Sequence, residues 1–125
     1  MVSFFSSESE RVLVTVQDHQ VSPRFDMTLE IIIAEKGLEG GILNEKYFLL
    51  AEPSAEELCN LIQKENVQAV ICGGIEEEYY QYLTWKKVKV FCNVIGPAGK
   101  GLLSWAGGVL AEDTIFQADD ALPPQ

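Results

Sequence analysis

The run Gln68-Ala69-Val70-Ile71-Cys72-Gly73-Gly74-Ile75, followed at once by Glu76-Glu77-Glu78, constrains this chain more than any other stretch. Apolar residues in unbroken succession describe a short strand buried on both faces, the habit of parallel and mixed sheets. A Gly-Gly pair stops that strand, because glycine turns with positive φ at little steric cost. Three glutamates then fall where the first turn of a helix begins, and negative charge there suits the helix dipole. The unit is strand, Gly-Gly, helix, with a thiol at the hinge. Such a junction is a common place for an α/β protein to hold a ligand.

Around this unit the elements follow in order. Arg11–Val16 is β-branched and almost wholly apolar, a first strand in mid-sheet. A polar turn, Gln17–Gln20, leads into an irregular loop, Val21–Asp26, around Pro23. Leu29–Glu35 is a second strand closed by Gly37 and Gly40-Gly41, and Tyr47–Ala51 a third. Ser54-Ala55-Glu56-Glu57 fits a capping box, with Ser54 as N-cap of a helix whose face is Ala55, Leu58, Leu61 and Ile62 and whose stop is Asn66. A helix from Glu76 to Thr84 follows the fourth strand, and Val88–Cys92 is the fifth. Asn93–Gly101 reads as a Gly/Pro loop and Leu102–Ala106 as a short last helix ended by Gly107-Gly108. The expected domain spans 11–116, with 1–10 and 117–125 as flexible termini.

An antiparallel meander joined to right-handed crossovers gives a three-layer α/β domain. Its five-stranded mixed sheet has order 3-2-1-4-5 and helices on both faces, a ribonuclease H-like arrangement. The topological switch lies between strands 1 and 4, so three loops meet at one rim: 17–25, 72–76 and 93–100.

Charge narrows the function classes. A formal net charge of −10 in 125 residues opposes nucleic-acid binding and docking on anionic membranes. No apolar run reaches a membrane span, and the first ten residues lack the charge and length of a signal peptide, so cytoplasm is the expectation. Cys59, Cys72 and Cys92 match no zinc spacing and are expected as free thiols. Gly96–Gly101 misses the phosphate-loop pattern twice, at Val94 and at Gly101. Strand 1 offers only Thr15 where a two-metal nuclease needs carboxylates. His19 is the sole histidine, and no nucleophile elbow accompanies it, so no Ser/His/acid set exists. Cys72 has a helix N-terminus to activate it but an acidic run beside it and no evident base, so the chain is not expected to be an enzyme.

Arg11–Val16, Asp18, Val21-Ser22-Pro23-Arg24-Phe25, Ile71-Cys72-Gly73-Gly74-Ile75 and Val88–Phe91, with Gly96 and Gly107, together carry a resemblance. The chain resembles the dinitrogenase iron–molybdenum cofactor biosynthesis family over residues 11–110. That resemblance implies a ribonuclease H-like fold and a small carrier or protector of an iron–molybdenum or iron–sulfur cluster. It implies a cofactor site at Cys72, Gly73, Gly74, Arg24 and Ser22, with Cys72 as a metal donor; His19, five residues before Arg24, is a second candidate donor because it could reach the same rim. The family pattern reads Ser-x-His-Phe-Gly-Arg; here Arg24 stands at the His position and Asp26 at the Gly position. Arginine cannot ligate a metal, although it can pair with an anion. Glu76, Glu77 and Glu78 would repel an anionic cluster. The second class is therefore an interaction module with no cluster, in which Tyr79, Tyr80, Tyr82 and Trp85 form a patch for a protein partner or a second copy.

Overall fold

The computed structural model describes residues 10–37 and 40–116. The flexible termini expected at 1–10 and 117–125 lie outside them, Glu10 excepted. A mixed α/β architecture results. Strand β1 (Glu10–Gln17) turns into a two-residue β2 (Gln20–Val21), a 3-10 turn covers Phe25–Met27, and β3 (Glu30–Lys36) and β4 (Ile42–Leu49) form a hairpin. Then come α1 (Ala55–Lys64), β5 (Ala69–Ile71), α2 (Glu77–Trp85), β6 (Lys89–Phe91) and α3 (Ala98–Ala106). The six-stranded sheet runs β4-β3-β1-β5-β6, with β2 paired to β1. Pairings β1–β2, β1–β3 and β3–β4 are antiparallel, while β1–β5 and β5–β6 are parallel.

β1 is the hinge of the architecture. Its residues alternate between two cores: Leu13 packs with Val70, Cys72, Phe25 and the buried face of α1, and Val12, Val14 and Val16 pack with Ile71, Val94 and α3. The apolar runs of β1 and β5 follow from this, since a strand covered on both faces has no polar side. No helix among the described residues is long and apolar enough to cross a membrane.

Three boundaries differ from the sequence reading, each for a physical reason. A sixth strand, β2, arises because Asp18 and His19 both adopt positive φ, +53° and +67°, the twist a two-residue hairpin needs. β4 begins at Ile42, five residues before the expected Tyr47, because pairing with β3 carries an exposed edge strand that lacks an apolar signature. α3 begins at Ala98, not Leu102. Pro97 precedes it with φ −62°, and Gly101 sits inside the helix where a Cβ would meet Ile71 Cγ2 at 3.6 Å. That glycine serves close helix–sheet packing, not a turn.

Ser54 caps α1 as expected, its Oγ accepting from Glu57 N at 3.1 Å. The three helices share one ending. In each, a residue with positive φ (Asn66, Lys87, Gly108) is followed by one whose N–H reaches back five residues: Val67 to Ile62, Val88 to Leu83, Val109 to Ser104. This is the Schellman motif.

Two substitutions test this account. Ser54→Ala should cost about 1 kcal/mol in urea unfolding. Gly101→Ala should be neutral or stabilising by up to about 1 kcal/mol, since a methyl only reaches ordinary contact, whereas Gly101→Leu should overpack and cost ~1–3 kcal/mol.

Candidate functional site

The loop after β2 and the end of β5 clasp one another. Gly74 N donates to Pro23 O at 2.8 Å, and Phe25 N donates to Gly74 O at 2.8 Å. This bridge brings Ser22–Phe25 against Cys72–Gly74, the two blocks that carry the sequence resemblance. Gly73 makes it possible: a Cβ there would lie 2.6 Å from Pro23 O. Phe25, wholly buried, pins the loop from beneath and stacks near Tyr79, ring centroids 6.3 Å apart.

Polar groups of the clasp are satisfied internally. Ser22 and Thr28 are 2% and 1% exposed, and Thr28 Oγ1 lies 3.0 Å from Ser22 Oγ and 2.8 Å from Arg24 O. Ser22 Oγ is itself 3.1 Å from Arg24 O. The Arg24 guanidinium reaches outward and grips Asp26 with a fork, Nε to Oδ1 at 3.1 Å and Nη2 to Oδ2 at 2.7 Å. Hydrogen bonding to Asp26 raises the Arg24 pKa further, with Glu76 adding to it. Arg24 and Asp26, two of the three positions that depart from the Ser-x-His-Phe-Gly-Arg pattern (the third is Met27), are thus bonded to each other.

Cys72 stands at the strand end, fully buried. Burial raises its thiol pKa well above the ordinary range, and Cys92 and Glu112 push it the same way. The register pairs Val14 with Ile71 and Ile71 with Phe91, so Thr15, Cys72 and Cys92 follow as a row across three strands. Thr15 Oγ1 is buried with no hydrogen-bond partner. Above the thiols, Tyr80 Oη donates to Glu112 at 2.7 Å, which with burial raises the tyrosine to about 12.

His19 goes elsewhere. It lines a groove of about 730 Å³ with Val16, Ile32, Tyr47, Leu49 and Pro97, a groove that does not include Cys72. Its carbonyl accepts from Ala98 N at 2.9 Å, tying the β1–β2 turn to α3. The fold therefore unites Ser22, Arg24, Gly73 and Gly74 and leaves the histidine apart. This groove escaped sequence reasoning because Tyr47 and Leu49, 72% and 75% exposed, look like ordinary strand residues.

A metallocluster does not fit the clasp in this conformation. Among the described residues no three His, Cys, Asp or Glu side chains are grouped to hold a metal. Cys72 and Cys92 both favour the protonated thiol, whereas ligation needs the thiolate. The orphaned Thr15 hydroxyl marks a buried polar point, but one hydroxyl adds no soft donor.

No family model matches the chain, and no curated protein matches it. Solved structures do. PH0822 superposes with TM-score 0.72 at 20% identity, over 82% of this chain and 94% of that one. A Methanocaldococcus jannaschii protein provisionally named a dinitrogenase gives TM-score 0.67 at 23% identity, over 81% of this chain and 91% of its own. A Thermotoga protein provisionally named NifB, of the DUF35 family, gives 0.61 at 21%, over 88% and 98%. At these identities the likeness is one of fold.

Gly73→Ala should destabilise by about 1–3 kcal/mol or more in urea, because only backbone atoms oppose the new methyl. Thiol pKa values set the alkaline behaviour. Burial raises Cys59 to about 11 and Cys72 higher still, so the folded state retains protons that the unfolded chain releases. Stability should hold below about pH 8.5, the unfolded thiol value, and fall as pH rises toward 11. Urea midpoints from pH 7 to 10.5 check this. In the native protein at pH 8, half-buried Cys92 should alkylate before Cys59 and Cys72.

Proposed function

We propose that this chain is a non-enzymatic binding protein and a divergent relative of the dinitrogenase iron–molybdenum cofactor biosynthesis proteins. In this reading it has a ribonuclease H-like fold, sheet order 3-2-1-4-5 in its five principal strands, and a cluster seat that has closed. Three lines support the relationship: the clasped sequence blocks, the element order, and the likeness to proteins provisionally named dinitrogenase and NifB.

The observation that carries the closed seat is the Arg24–Asp26 fork. Where the family pattern has a potential donor and a glycine, this chain has a cation and an anion that neutralise each other at the loop's outer edge. Cys72 lies buried and protonated beneath, and Glu76 adds a carboxylate beside Arg24. An anionic cluster would have to break the fork, ionise a buried thiol and face that carboxylate. Catalysis is unsupported for similar reasons: His19 is exposed on a turn, and Cys72 has neither a base nor a thiolate.

A second reading, an interaction module on the same fold, is favoured by aromatic residues that remain at the surface of α2. Tyr82 is 37% and Trp85 72% exposed.

Anaerobic reconstitution with iron and sulfide, read by absorbance and metal content, separates the possibilities. Wild type should incorporate well below one cluster per chain, with no change in Cys72→Ser. The double variant Arg24→His/Asp26→Gly, which restores the His and Gly of the family pattern, should take up more. Stoichiometric cluster in the wild type that disappears in Cys72→Ser would overturn the closed seat and make the protein a working carrier.

A further inference from the structure

The ladder between β5 and β6 places two thiols side by side. Ile71 partners Phe91 in parallel register, so Cys72 and Cys92 form the next rung. Backbone bonds hold that rung from both ends. Cys72 N donates to Phe91 O at 3.0 Å, Val94 N to Cys72 O at 3.1 Å, and Asn93 N to Gly73 O at 2.9 Å. The two side chains share one layer, for Cys72 belongs to the α1-side core and Cys92 packs against it. Neighbouring strands lie about 4.8 Å apart, inside the span of roughly 4.4–6.8 Å between the Cα atoms of a disulfide. Both thiols are free in the structure.

Electrostatics report the same proximity. Burial first, then Cys92 and Glu112, raise the Cys72 thiol pKa. Cys59 lies apart: burial and Glu56 raise its pKa, and neither of the other thiols contributes. Access differs within the pair. Cys72 is wholly buried, whereas Cys92 is half-buried beneath the segment 111–116, whose Asp113 N donates to Cys92 O at 2.9 Å and whose Glu112 accepts from Tyr80 Oη.

We infer that Cys72 and Cys92 form a reversible dithiol–disulfide couple, an oxidation site open through Cys92 to small disulfides of the glutathione class. The Cys92 thiolate attacks one sulfur of the oxidant, forming a mixed disulfide and expelling one reduced thiol. Cys72 then gives its proton to solvent and attacks Cys92 Sγ. The internal bond forms, a second reduced thiol leaves, and the oxidant has taken up both electrons. Burial, with Glu112 and Asp113 nearby, raises the Cys92 pKa, so the first step is slow at neutral pH and speeds as pH rises. Side chains on one rung run alongside each other, so a bridge must draw them together. Such strained disulfides are the labile, easily reduced ones, in keeping with the free thiols found here. The bridge would tie the span carrying α2 back to the end of β5 and occupy the rim thiol. It does not rest on whether the rim has ever held a cluster.

The test uses the full chain without metal and oxidised glutathione as the probe at pH 8. Remaining thiols are then alkylated and the digested peptides mapped by mass. The native protein should end with one internal bridge, Cys72 to Cys92, reversed by dithiothreitol, with Cys59 alkylated. Cys72→Ser should stop at glutathione on Cys92, while Cys59→Ser should behave as wild type. In concentrated urea the shorter loop is favoured, so Cys59–Cys72 should lead instead. That exchange of partners ties the result to the folded ladder. Glutathione that remains on Cys92 of the wild type, a native bridge to Cys59, bridging only between chains, no reaction at all, or a Cys72–Cys92 bridge formed as readily in urea would each overturn the inference.

Discussion

The missing Cβ at Gly73 is the constraint on which the functional end of this molecule rests. Without it, Pro23 O can approach the end of β5, and Gly74 can exchange two backbone hydrogen bonds with the loop. Those bonds terminate β5 and seat Phe25 in the core. They also orient Arg24 and Asp26 outward as a pair. Glycine here is thus not a hinge left open for a ligand. Its space is filled by the protein's own carbonyls.

Much of the fold was legible from the chain because burial on two faces leaves a plain signal. β1 and β5 announce themselves as unbroken apolar runs, and Ser54 with Glu57 announces α1. Where the sequence reading failed, tertiary context outweighed local composition. β4 is an edge strand with polar residues on much of its length, so only its pairing with β3 defines it. The Gly/Pro stretch before Leu102 looked like a loop, yet Gly99 and Gly101 lie in α3, with Gly101 against Ile71. At the site, the neighbourhood of Ser22–Phe25 and Cys72–Gly74 could be anticipated from topology. That Arg24 would be taken by Asp26 could not, because a pairing two residues apart depends on the local 3-10 turn. Nor could the separation of His19 from Cys72, which follows from its place beside α3 on the opposite core.

The pairing of Arg24 with Asp26 has a physical logic. Either residue alone would leave an unbalanced charge on the loop. Together they neutralise each other in bidentate geometry, the strongest arrangement available to two exposed side chains.

β4 has a consequence outside the fold itself. Among the described residues its outer edge is unpaired, eight residues long, with Tyr47, Leu49 and Leu43 all more than 60% exposed. Such an edge is a template for intermolecular sheet growth. Its only charged residues are Glu45 and Lys46, and they carry opposite signs. Against such pairing a net charge of −10 supplies long-range repulsion, a colloidal guard and not a local one. The chain's surplus of carboxylates can be understood in this light: it opposes edge-to-edge growth of this sheet, and acidification would withdraw that opposition.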